Sequence, residues 1–75
     1  MSDKVWVGSA TFLFQPRDNS GAGSNKRVTG KAEESDNCYD QVSAMNAARA
    51  DAIEEAGDDY ELVNDFPESH DFYQQ

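Results

Sequence analysis

The longest apolar stretch of the chain is Lys4-Val5-Trp6-Val7-Gly8-Ser9-Ala10-Thr11-Phe12-Leu13-Phe14-Gln15. Its β-branched and aromatic content predicts a strand. Alternation places Trp6, Ala10, Phe12 and Phe14 on one side and Val5, Val7, Thr11 and Leu13 on the other. Both sides are apolar, which predicts a central strand or one whose second face is covered by something else. Gly8-Ser9 is a candidate bulge that would switch the alternation half way along. Residues 16–25, from Pro16 to Asn25, are rich in turn formers and lack an apolar anchor. They are read as a mobile hairpin loop. From Lys26 to Glu34 the pattern is that of a half-exposed strand. Val28, Gly30 and Ala32 face inward, and Arg27, Thr29, Lys31 and Glu33 outward. Gly30 marks either a close approach of the helix or a bulge.

Ser35-Asp36-Asn37 is a helix-start signal, and Gly57 is a natural terminator. The spacing predicts a helix from Cys38 to Ala56, with Cys38, Val42, Met45, Arg49, Ala52, Ile53 and Ala56 on its inner side. Ala44, Ala47, Ala48 and Ala50 make it slender. Asp59 to Phe66 predicts a third strand, with Tyr60, Leu62 and Phe66 on one face and Pro67 ending it. Residues 67–75 are read as a tail. It is either frayed or, since Phe72 and Tyr73 are more than a disordered end needs, folded over the open sheet face or part of a binding surface.

The expected order is β-β-α-β. A hairpin pairs the first two strands, and a helical crossover returns the third strand parallel to the second. The predicted fold class is therefore α+β: one two-layer domain over residues 1–75, its three-stranded antiparallel sheet in order 2-1-3 packed on one helix. One sheet face is then left without a helix. Any apolar residues there need the tail, a second copy or a partner to cover them.

Length sharpens this expectation. A chain of 75 residues buries only about 60% of its unfolded surface and is marginally stable alone. Its single cysteine excludes an intrachain disulfide, so association is the most available added stabilisation. No apolar run approaches the roughly 18 residues of a membrane span. Ser2-Asp3-Lys4 lead directly into the first strand with no leader-like segment. Together with the cysteine content, these features predict a cytoplasmic protein.

Charge changes the picture most. The net charge is −9, and it is unevenly spread. Residues 1–31 carry Lys4, Arg17, Lys26, Arg27 and Lys31 against Asp3 and Asp18, whereas residues 32–75 set Arg49 alone against all the remaining acids. Such asymmetry points to an electrostatically guided partner. Asp51, Glu54, Glu55, Asp58, Asp59, Glu61 and Asp65 form the candidate partner-binding set. DNA carries a negative charge about every 1.7 Å of axis, so a competitor for its binding groove needs dense acids and few bases. A solvated face is the plainer reading of the same run. Arg17, Lys26, Arg27 and Lys31 are the alternative contact set. Arg49 falls within the apolar helix stripe, where it either snorkels or pairs with Glu61 or Asp65.

Catalysis finds little support. His70 lies in the tail, and no Ser/His/Asp set has an interpretable spacing. Cys38 is either a thiol with a lowered pKa at a helix start or a small buried apolar residue. Cys38 and His70 are too few soft ligands for a structural zinc site, and the acids do not follow a calcium-loop pattern. Gly21-Ala22-Gly23-Ser24-Asn25-Lys26-Arg27 lacks the Gly-Lys-Ser/Thr ending of a phosphate loop and leads into a strand. No cofactor is expected.

The short two-layer plan, the single cysteine and the acidic run from Asp51 to Asp71 resemble the small acidic α+β proteins that phages and mobile elements make against bacterial defences, notably anti-CRISPR proteins. The resemblance is one of type and carries no diagnostic motif. It implies a non-catalytic inhibitor, acting in the cytoplasm of a bacterial host. Its target would be a protein or ribonucleoprotein complex that handles nucleic acid, blocked by an acidic surface or by steric occlusion. Two other readings stand beside it. One is a small nucleic-acid-binding module that uses the basic hairpin with Trp6 or Tyr73 as a stacking platform, disfavoured by the net charge. The other is a homodimer paired through the open sheet face.

Overall fold

The computed structural model describes residues 4–17 and 23–75. Strand β1 spans Trp6–Pro16, β2 Lys26–Ala32, helix α1 Gln41–Ala56, β3 Tyr60–Leu62 and β4 Ser69–Gln74. The sheet order is β2-β1-β3, with β4 also paired to β1 and every pairing antiparallel. The fold is thus α+β, one helix on an open antiparallel sheet, and β1 is central. Half of the loop assigned to residues 16–25, and with it Gly21 and Ala22 of the glycine-rich stretch, lies outside the described residues.

The third strand is shorter than predicted, and the tail is a strand. β3 stops at Leu62 after pairing with Phe14–Pro16. The Val63 amide still donates to the Leu13 carbonyl at 3.0 Å. The chain then loops out and rejoins the same edge as β4, opposite Trp6–Thr11. β1, at 11 residues, is long enough to take two short partners end to end. Phe66, expected inside, sits in the loop between them and is 79% exposed. Phe72 takes the inward place and packs against the core.

Ala10, Phe12 and Phe14 of β1 and Val28 of β2 form the core with Ala48, Ala52 and Ala56 of α1. Phe12 and Phe14 are its largest fully buried side chains. A second cluster joins Ala32, Cys38 and Ala44, with Trp6 packed against it. Gly8-Ser9 is not a bulge, because β1 keeps one register through it against both β2 and β4. Gly8 has a φ of 145°, and a Cβ there would fall 1.9 Å from the Asp71 carbonyl oxygen. The position serves close strand contact in a conformation that other residues rarely adopt.

The helix is rotated from the predicted orientation, and of the helical residues expected inside only Ala52 and Ala56 are buried. Its buried residues are Ala44, Ala48, Ala52 and Ala56, all four apart, while Val42 and Ile53 are exposed and Met45 and Arg49 half-buried. Backbone proximity explains this. A Cβ on Gly30 would lie 1.9 Å from the Ala48 carbonyl oxygen and 2.6 Å from the Ala52 amide nitrogen. Only a methyl-sized stripe over a glycine allows that approach, so larger apolar side chains are turned to the flanks. The start is also shifted. Glu34–Asp36 form a short 3-10 turn closed by a capping box between Glu33 and Asp36. Asn37 follows in the left-handed region, and Asp40 caps α1 by accepting the Ser43 amide at 2.7 Å.

The face away from α1 is largely polar. Thr11 bonds Thr29 at 2.8 Å, Gln15 donates to Glu61 at 3.2 Å, and Arg27 pairs with Glu68. Leu13 is half-buried among these side chains. The expected apolar surface in need of cover is therefore reduced to little more than Leu13 and Tyr73. The alternation of β1 overstated it, because polar or charged partners stand opposite Ser9, Thr11 and Leu13 and Val7 is itself buried.

Two outcomes follow from this packing. Gly30→Ala must push α1 off β2 and should lower unfolding stability by about 1–3 kcal/mol in urea titration, the usual cost of overpacking. The Ser43 hydrogen bonds hold the Asp40 carboxyl below its ordinary value. Its charged form stabilises the fold above the unfolded-state value of about 3.9, and that contribution is lost as pH falls through the lower folded value. Asp40→Ala should therefore lower Tm at neutral pH, and the gap to the wild type should close as pH drops below about 3.9.

Candidate partner-binding surface

Asp51, Glu54, Glu55, Asp58, Asp59, Glu61 and Asp65 are all exposed. Helical geometry puts Asp51, Glu54 and Glu55 on the solvent side because the alanine stripe at 44, 48, 52 and 56 claims the other. α1 ends at Gly57, whose amide donates to the Ile53 carbonyl at 3.2 Å. Its positive φ of 89° suits glycine. Asp58 and Asp59 then make the tight turn into β3. Glu54, Glu55, Asp58 and Asp59 are thus gathered around the negative end of the helix, where acids are unfavourable, and no base lies in the last turn.

Lys26 answers that end from β2. Its ammonium donates to the Ala56 carbonyl at 3.2 Å and sits 4.1 Å from the centre of the Tyr60 ring. Two of the outlying acids have structural work. Asp51 Oδ2 accepts the Lys31 amide at 2.9 Å, closing part of the β2 edge, and Glu61 accepts from Gln15. Among the described residues, the one ion pair is Arg27 with Glu68. The carboxylates of Glu54, Glu55, Asp58, Asp59 and Asp65 have no basic partner there.

The alternative, basic set is largely engaged within the fold. Lys26 holds the helix end, and Arg27 holds Glu68. Arg17 donates from Nε to the Tyr60 carbonyl at 3.4 Å. Lys31 lines two shallow cavities beside Asp51, of about 370 and 580 Å³. Arg49 is half-buried and pairs with no carboxylate. It donates to Asn46 Oδ1 at 2.6 Å and to the Asp65 backbone carbonyl at 3.3 Å, so it ties α1 to the β3–β4 connection.

Cys38 is buried, and burial, with the charges of Asp36 and Asp40 adding to it, pushes its thiol up. It is a packing residue. His70 lies exposed and stacks on Phe72, ring centres 5.7 Å apart. Among the described residues no three His, Cys, Asp or Glu side chains are placed to hold a metal ion. No helix there is long and apolar enough to cross a membrane.

Sequence reasoning missed one feature. Val42, Met45 and Arg49 of α1 face Asp65, Phe66 and His70 across a groove of about 470 Å³. The signal lies in Val42 and Met45, which the helical spacing predicts on the inner face. Comparison with protein-family models, with curated proteins and with solved structures gives no match.

The Lys26 contacts carry a prediction. Lys26→Met removes the cation at the helix end and over Tyr60 and leaves the four acids there unanswered. Stability should fall by about 1 kcal/mol, and added salt should recover part of it. Thermal unfolding at low and high ionic strength reads both effects.

Proposed function

We propose that this protein is a non-catalytic inhibitor of the anti-CRISPR kind. It binds a protein or ribonucleoprotein complex that handles nucleic acid, and it does so through the acids at the C-terminal end of α1 and along β3. One observation carries the reading. Glu54, Glu55, Asp58 and Asp59 crowd the end of a helix where they disfavour the fold, and among the described residues none has a basic partner. A local rule broken by four acids, with Lys26 alone set against that helix end, is the mark of a surface kept for something else. An electropositive groove that normally takes a phosphate backbone has the complementary charge.

The same geometry disfavours the basic hairpin as the contact. Lys26, Arg27 and Arg17 already serve helix end, ion pair and strand end. Of the two candidate stacking rings, Trp6 is half-buried against the Ala32, Cys38 and Ala44 cluster, while Tyr73 is exposed.

The test is a charge reversal of Glu54, Glu55, Asp58 and Asp59 to Lys. It is assayed against purified CRISPR effector complexes and against assemblies captured from the native bacterial host. The wild type should inhibit nucleic-acid binding stoichiometrically and without turnover, and rising salt should relieve it. The reversed variant should keep its circular dichroism and lose affinity by at least about 100-fold, since several like-charge contacts replace attractive ones. Undiminished binding by that variant would rule out the acidic surface as the contact.

A further inference from the structure

The two edges of the sheet are not equivalent. In the β1–β4 ladder the Gln75 amide donates to the Val5 carbonyl at 2.8 Å. With the observed register, this parity turns the backbone groups of Ser69, Asp71 and Tyr73 toward β1 and those of His70, Phe72 and Gln74 away from it. The outward groups have no strand partner among the described residues. The β2 edge is guarded instead. α1 lies over it at Gly30, Asp51 takes the Lys31 amide, and Arg27 and Lys31 flank it with like charge.

We propose that β4 is a dimerisation edge. Two copies of the chain pair β4 to β4, antiparallel, about a two-fold axis at Phe72, and the two sheets become one. In this register His70 faces Gln74 of the second copy, Asp71 faces Tyr73, and Phe72 faces Phe72. Residues with outward backbone groups meet one another, so amides and carbonyls along the edge are satisfied. No like charges stand opposite. Moving the axis to Asp71 would set two carboxylates face to face, and moving it to Tyr73 would carry His70 past the end of β4. The same operation at the β2 edge, about Thr29, would oppose Arg27 to Lys31.

The wider charge distribution allows this contact. β4 pairs with the Trp6–Thr11 half of β1, whereas Glu54, Glu55, Asp58 and Asp59 lie by the Phe14–Pro16 end, beside β3. An axis normal to the sheet keeps both helices on one side. The groove between each α1 and its β3–β4 connection is bordered by His70 of β4, with exposed Val42 and Phe66 on its walls.

Sedimentation equilibrium with amide hydrogen exchange tests the assignment. Gln74→Pro removes an outward amide and no β1–β4 bond. His70→Lys with Gln74→Lys sets lysines against each other across the axis. The wild type should sediment at twice the chain mass, with the His70, Phe72 and Gln74 amides protected. Both variants should sediment at the mass of one chain with unchanged circular dichroism, and the His70 and Phe72 amides should lose protection. A monomeric wild type, a dimer that survives the double lysine variant, or a dimer with unprotected β4 amides overturns the proposal. If Gln74→Pro fails to fold, the lysine variant decides. The charge reversal at Glu54, Glu55, Asp58 and Asp59 leaves β4 intact and should still dimerise, so failure of the inhibitor reading and failure of this one are separately visible.

Discussion

The backbone contact between α1 and β2 sets the rest of the structure. With a Gly30 Cβ excluded by the Ala48 carbonyl and the Ala52 amide, the helix rests almost directly on the strand. Close packing of this kind gains dispersion contacts along its whole length, but it demands that the interface be glycine and alanine. Most other placements follow. Val42 and Ile53 are left at the flanks, and α1 sits toward the β2 side of the sheet. β4 lies beyond the helix, with an open groove between them.

The same contact bears on stability. An alanine stripe buries little area per residue, so the largest apolar contributions come from Phe12 and Phe14, each fully buried. A buried Phe contributes about 1.5–3 kcal/mol relative to exposure. A chain this small has few such residues, and peripheral interactions are asked to do more. Asp40 fixes one end of the helix and Lys26 the other. Arg49 ties the helix to the β3–β4 connection, and the Asp51 carboxylate holds the β2 edge. Arg17, Lys26 and Arg27 are thus drawn into the fold, while Glu54, Glu55, Asp58, Asp59 and Asp65 remain without a basic partner among the described residues. The charge asymmetry of the sequence becomes, in three dimensions, an acidic pole at one end of the molecule.

Much of the architecture was legible in one dimension. The two-sided apolarity of Trp6–Phe14 placed β1 in the centre, and chain order then required β2-β1-β3. The alternation of Val28, Gly30 and Ala32 named the inner face of β2, and of the two readings open for Gly30, close approach of the helix or a bulge, the first is the one the structure has. The helix face was not legible, because alanine is nearly silent in a hydrophobic pattern and Val42, Met45 and Ile53 spoke louder. Nor was β4. Ser69–Gln74 carries His70 and Asp71 among its few apolar residues, and nothing local says that the free half of a long central strand is waiting opposite. The groove at Val42 and Phe66 was missed for the same reason as the helix face.

The sequence by itself determined the class of fold, the central strand, the strand order and the charge imbalance, since each depends on patterns within one segment or on chain order. Only the tertiary structure decided which face of α1 turns inward, that residues 69–74 complete the sheet, and which charges remain free. Those outcomes depend on distances between segments far apart in the chain. A methyl group over a glycine, a lysine reaching another element's last carbonyl and an arginine meeting a glutamate across the sheet leave no periodic trace in the sequence.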